Sequence, residues 1–102
     1  MKESELQNAI VECANVLGWR VFHSRPARTS KGWRTPVSYQ GRGFPDLCLV
    51  RDRVVFAEVK ANGGKLSAEQ QEWRDSTLAA GAEWYLWDEQ VWQSGDVESI
   101  LR

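Results

Sequence analysis

Two runs of this chain, DLCLV at 46–50 and VVFAEVK at 54–60, restrict its possible folds more than any other feature. Both are apolar at nearly every position, and only Arg51-Asp52-Arg53 separates them. Short Val- and Leu-rich runs broken by a polar turn read as paired strands, and apolar residues on both alternations predict a sheet covered on both faces. Side chains alternate with period two along a strand, so Glu58 and Lys60 emerge on one face with Val54 and Phe56. An ionised pair at the end of a buried strand is costly unless it is paired or holds a metal. Loop length then decides what faces it. A three-residue loop pairs Val50 with Val54 and, counting back, sets Asp46 opposite Glu58. A two-residue loop sends Asp46 to the other face. The expectation is an odd-length loop that gathers Asp46, Glu58 and Lys60 at one edge of the sheet.

The flanking segments fit an α/β domain. Residues 3 to 17 carry Leu6, Ile10, Cys13 and Leu17 at the helical period, and Gly18 supplies a left-handed stop. Trp19 to His23 reads as a short strand. Ser24 to Phe44, with Pro26, Pro36, Gly32, Gly41 and Gly43, reads as one long loop, and loops of that length inside a small domain usually carry function. Ser67 and Gln70 stand at the first and fourth positions of a capping box, opening a helix that runs to about Ala80 and stops at Gly81. Glu83 to Trp87 reads as a strand and Asp96 to Leu101 as a short helix. With 102 residues there is room for one core, so residues 1–102 are expected to form a single domain.

Net charge hides a segregation. Lys and Arg total 13 against 14 Asp and Glu, which by itself speaks against a nucleic-acid partner. Yet no acidic residue lies between Glu12 and Asp46, an interval holding Arg20, Arg25, Arg28, Lys31, Arg34 and Arg42. From Leu66 onward the sign reverses, with only Arg74 and Arg102 opposing eight acids from Glu69 to Glu98. One cationic working surface and a solvated acidic remainder would give this pattern. No run approaches the roughly 18 apolar residues of a membrane span, and the first residues lack a signal peptide's apolar core. Cys13 and Cys48, without CxxC spacing, read as buried reduced thiols of a cytoplasmic protein, and with the single His23 they cannot assemble a zinc site.

Two carboxylates beside an ammonium have an obvious chemistry. Hard oxygen ligands suit Mg²⁺ or Mn²⁺, which accept one or two carboxylates, waters and phosphate oxygens. Lys60 would orient a water or stabilise developing charge. The alternative is a structural salt bridge of Lys60 with Asp46 or Glu58, and the triad alone leaves both open.

Gly43-Phe44-Pro45-Asp46 followed by Glu58-Val59-Lys60 resembles the PD-(D/E)xK signature of restriction-endonuclease-like nucleases. The surroundings narrow it: Glu3-x-x-Leu6-Gln7 on a leading helix, Gly18-Trp19 before a strand, Gly64-Lys65-Leu66-Ser67-x-x-Gln70, and Ala80-Gly81 before another strand. Over nearly the whole chain this resembles the stand-alone VRR-NUC nuclease domains of bacteriophages and bacteria. The resemblance implies a restriction-endonuclease-like core of order αβββαβ, with a small mixed sheet flanked by helices. It implies Asp46 and Glu58 as metal-binding acids, the Val59 carbonyl as a further ligand, and Lys60 as the catalytic lysine. A residue of the first helix joins the site in such domains. Gln7, with Glu3 one turn before it, matches best, and Glu5 stays open. The implied activity is Mg²⁺-dependent endonucleolytic hydrolysis of DNA (Mn²⁺ substituting), selective for branched substrates such as Holliday junctions and carried out by a homodimer. Neither a membrane nor an organic cofactor is implied. The competing reading is a DNA-binding module of the same fold without catalysis.

Candidate DNA contacts lie in the basic stretch: Arg25, Arg28, Lys31, Arg34 and Arg42 between the first strand and Asp46, with Trp33 placed to stack on an unpaired base. Gln70 fits either a capping role or a contact at the site. His23, at a strand end, fits either a structural role or a phosphate contact. Trp73, Trp84 and Trp87 fit a core or subunit interface better than base stacking.

Overall fold

A computed structural model describes residues 1–24 and 39–102, together with the backbone of two strands at 27–29 and 32–34. In chain order the elements are α1 (Glu3–Val16), β1 (Arg20–His23), β2 (Ala27–Thr29), β3 (Gly32–Arg34), β4 (Leu47–Val50), β5 (Val54–Val59), α2 (Ala68–Ala79), β6 (Glu83–Trp87), α3 (Glu89–Gln93) and α4 (Asp96–Leu101). Four strands form one sheet in the order β1-β4-β5-β6. The β1/β4 and β4/β5 pairs are antiparallel, while β5 and β6 run parallel. A parallel pair needs a crossover, and α2 supplies it.

The segment expected to be one long loop contains a hairpin. Strands β2 and β3 pair antiparallel with Ala27 opposite Arg34, and they form a sheet of their own. Ala-Arg-Thr and Gly-Trp-Arg are too short and too polar to show a period-two signal, which is why the composition reads as loop. Helix α3 was also not expected. Asp88 opens it by accepting from the Val91 amide at 2.9 Å, but five residues are too few to display a period.

One face of the sheet carries the core. Leu47, Leu49, Val55, Ala57, Val59 and Trp87 pack there against Leu6, Ile10 and Ala14 of α1 and Val97 and Leu101 of α4, all buried. The helix turns Ala14 inward where periodicity favoured Cys13, and both cysteines are free and half-buried rather than buried. The opposite face is covered only in part, against the expectation from the apolar runs. Helix α2 buries no residue of its own, and Phe22 stays 57% exposed, with Val50, Val54 and Leu86 exposed beside it. Among the described residues the cover centres on Phe44, whose ring meets Phe56 and Trp73 edge-on at centroid distances of 5.9 and 5.0 Å. Gly43 makes this approach possible. At its φ of +85° a side chain is disfavoured, and a Cβ there would sit 2.5 Å from the Glu69 carbonyl carbon.

The β4–β5 loop does more than turn the chain. Neither α1 nor α4 has a basic residue in its last turn, and Arg102 at the end of α4 turns its guanidinium to Glu98. Arg51 supplies one from outside, donating from Nη1 to the Leu17 and Leu101 carbonyls at 3.0 and 3.1 Å and from Nη2 to Arg102 at 3.1 Å. Arg53 donates to the Ile100 carbonyl and, from Nε, to Glu83 at 2.7 Å. Both guanidinium groups lie over the Trp19 ring, 4.6 and 5.2 Å from its centroid, and Trp19 Nε1 donates to Leu101 at 2.8 Å. Cation–π contact and carbonyl capping thus meet at one node. Replacing Arg51 by Met keeps the stem on Trp19 and removes the donors. That change should cost about 2 kcal/mol and lower the melting temperature by roughly 10 °C; a variant that melts with the parent would show the node to be incidental.

Candidate active site

The site is built by register. Val50 pairs with Val54 across Arg51-Asp52-Arg53, and Leu47 pairs with Ala57, so one further step back brings Asp46 level with Glu58. The odd-length loop expected from the sequence is the one observed. Asp46 is held from two sides: its carbonyl accepts from the Ser24 amide at 3.0 Å, and its Oδ2 accepts from the Val59 amide at 3.0 Å. Glu58 lies on the face shared by Val54 and Phe56 and is only 3% exposed.

Two side chains reach Glu58 Oε2. Gln70 donates to it from Nε2 at 3.0 Å, and Lys60 Nζ stands 3.8 Å away. Gln70 also fills its place in the capping box, its Oε1 accepting from the Ser67 amide at 2.8 Å while its own amide donates to Ser67 Oγ at 3.1 Å. The two roles fix the sense of the amide, because the Ser67 N–H requires the oxygen and so the NH₂ faces the carboxylate. Capping and site contact, which the sequence presented as alternatives, are one arrangement. Gly64 sits against the lysine: a Cβ there would lie 3.2 Å from Lys60 Cβ.

The electrostatics show what the pair lacks. Burial, then the Asp46 charge and a hydrogen bond with its carboxyl, push the Glu58 carboxyl up to about 8, and Lys60 offsets only part of this. The lysine at 3.8 Å is therefore a weak counterion for two acids in contact. A divalent cation is the group that this donor set fits, since it would replace the proton that Glu58 otherwise holds. Among the described residues no three His, Cys, Asp or Glu side chains converge. A cation here would rest on two carboxylates, a main-chain oxygen and water, which is how Mg²⁺ is usually held.

The remaining expected residues fall in several places. Gln7 Oε1 lies 2.7 Å from His23 Nε2, so the first helix reaches the end of β1 next to Leu47, the strand partner of His23. Glu3 and Glu5 occupy the exposed first turn of α1, where Glu5 accepts from the Lys2 amide at 3.2 Å. Arg28, Trp33 and Arg34 belong to the β2–β3 hairpin, and Arg42 stands beside α2. Arg25 and Lys31 lie outside the described residues. Trp84 and Trp87 are in the core, as expected. The sequence reading missed the fastening of α2 to the Asp46 turn, where Trp73 Nε1 donates to the Gln40 carbonyl at 2.8 Å. Nothing in a window of local periodicity signals a contact across 33 residues.

The family model described as the VRR-NUC domain matches residues 1–86, which span α1 through nearly all of β6 and leave α3 and α4 outside. No curated protein and no solved structure matches the chain. The small mixed sheet with flanking helices agrees with an α/β restriction-endonuclease-like fold. With most of its length matched and Asp46, Glu58 and Lys60 brought to one strand end, the chain belongs to the VRR-NUC domain family, which implies a nuclease-type function in DNA processing.

Proposed function

We propose that this protein is a metal-dependent DNA endonuclease that hydrolyses phosphodiester bonds, with Mg²⁺ as its ion and Mn²⁺ able to substitute, and that it selects branched, Holliday-junction-like DNA. The observation that carries the reading is the carboxylate pair, buried Glu58 and half-buried Asp46, opposed across the hairpin and short of positive charge. Asp46, Glu58 and the Val59 carbonyl would hold the ion, which would supply an acidified water and neutralise charge on the attacked phosphate. Lys60 orients the water and stabilises developing negative charge. Gln70 holds Glu58 in place, and the Val59 amide holds Asp46, so neither acid has to reorganise when substrate arrives. A homodimer would present two such sites to opposite strands of a symmetric junction. The exposed apolar side chains of Phe22, Val50 and Val54 on the under-covered sheet face support a self-association surface.

Labelled linear duplex, single strand, flap and four-way junction, each incubated with Mg²⁺, Mn²⁺ or EDTA, test this directly. Cutting should require the metal and favour the junction. Asp46→Asn, Glu58→Gln and Lys60→Ala should each lower the rate at least about 100-fold while leaving the fold intact. A Glu58→Gln protein that cuts as fast as the parent would sink the proposal, and equal cutting of linear duplex would remove its structure selectivity. Light scattering at micromolar concentration should give the mass of a dimer.

The raised Glu58 carboxyl has a definite sign. In the unfolded chain a glutamate titrates near 4.3, and in the metal-free fold Glu58 holds its proton up to about 8. The stabilisation that belongs to the protonated form is thus complete below about pH 4.3 and is lost as pH rises through about 8. Metal-free protein should melt at falling temperature across this window, Glu58→Gln should flatten the dependence, and Mg²⁺ should restore stability at pH 8. Cleavage should rise with pH over the same range as the ion displaces the proton. Melting curves recorded at several pH values with and without Mg²⁺ give the answer, and a parent protein whose melting is indifferent to both would contradict it.

A further inference from the structure

A groove of about 550 Å³ lies between the chain just before the Asp46 turn and the outer side of α2, with Tyr39, Gln40 and Arg42 on one wall and Glu69, Glu72 and Trp73 on the other. Its size is that of a small-ligand site. The walls are fastened together in advance. Trp73 Nε1 donates to the Gln40 carbonyl, Phe44 meets the Trp73 ring edge-on, and Gly43 lies against the backbone of Glu69 and Gln70. The groove also adjoins the carboxylate pair, because Gln70, next to Glu69 on the same turn, is the residue bonded to Glu58 Oε2.

Tyr39 is the feature that folding does not explain. The residue is 100% exposed, and its backbone is held at φ +54°, a conformation uncommon for a bulky residue. A side chain that contributes nothing to the core yet occupies a strained position at a groove's rim is placed for something outside the molecule. The chemistry of the lining says what kind. Glu69 and Glu72 would repel a phosphate backbone, so the groove is not a path for the sugar–phosphate chain. A nucleobase fits it: a flat ring stacks on tyrosine or tryptophan, and its amino and imino N–H groups donate to carboxylates. Arg42 at the rim is the one cation among the described lining residues and suits the flanking phosphate.

We infer that this groove takes one unpaired nucleobase of the DNA substrate, stacked on Tyr39 with Glu69 and Glu72 accepting from its edge. The inference rests on the DNA-processing reading for its ligand, and it would favour substrates that carry an unpaired base near the cleavage point over continuous duplex.

The test uses a duplex with a single bulged 2-aminopurine, in EDTA so that no cutting intervenes. Its fluorescence should be quenched on binding the parent protein. Tyr39→Gly, which removes the ring and suits the left-handed backbone, should bind this probe about tenfold more weakly while melting no lower than the parent. An abasic nucleotide at the bulge should weaken parent binding by the same factor and add nothing to the loss in Tyr39→Gly. Equal binding by parent and variant, additive losses, or no binding of the bulged probe would each overturn the inference. Cleavage with Mg²⁺ is measured separately. Base quenching that depends on Tyr39, in a protein that never cuts, would keep the groove and discard the nuclease proposal; metal-dependent cutting with no Tyr39-dependent quenching would do the reverse.

Discussion

The register of one hairpin governs this molecule. Because strand side chains alternate with period two, a single-residue change in the β4–β5 loop would carry Asp46 to the face opposite Glu58 and turn Leu47 and Leu49 away from the core. Core and site therefore stand or fall with the same three residues. Two of these, Arg51 and Arg53, are also the residues that reach across to the ends of α1 and α4. The loop that sets the register is thus anchored to the helices that cover the buried face. Slippage of the hairpin would break the Trp19 node along with the strand pairing.

Around Glu58 the fold does something that works against its own stability. It buries a carboxyl, places a second acid against it, and provides an ammonium at the far limit of an ion pair. Replacing such a group by a neutral one is commonly stabilising, so its presence in a domain this small is informative. The immediate support is local and well made: a main-chain donor for Asp46 and an amide for Glu58, the latter oriented by the cap of α2. The helix that crosses over from β5 to β6 is therefore part of the site as well as a connection.

What the sequence disclosed follows from how far each signal travels along the chain. The hairpin, its loop length and the level placement of Asp46 and Glu58 were legible because they depend on adjacent residues and an alternation rule. The ends of α1 and α2 were legible for the same reason, through Gly18, Ser67, Gln70 and Gly81. The β2–β3 hairpin and α3 fell below the length at which periodicity can be read. The double role of Gln70 appeared only once α2 was seen beside β5. The partial exposure of the second sheet face was hidden, because an apolar strand looks the same whether it is covered by its own chain or left open. The part played by Arg51 was invisible for a different reason: its partners lie 34 and 50 residues away, and a turn arginine looks like any solvated charge.

Among the described residues, the two strands inserted between β1 and β4 pair with each other and with no strand of the main sheet. The β1–β4 pairing resumes on the far side, with His23 opposite Leu47, whatever intervenes. The strands at 27–29 and 32–34 thus take no part in the alternation that fixes the acids, so side chains on them can change without shifting that register. A scaffold arranged this way keeps the strand pairing that holds the acids apart from a second, self-contained hairpin, which marks that hairpin as a place where residues can be exchanged with the centre left as it is.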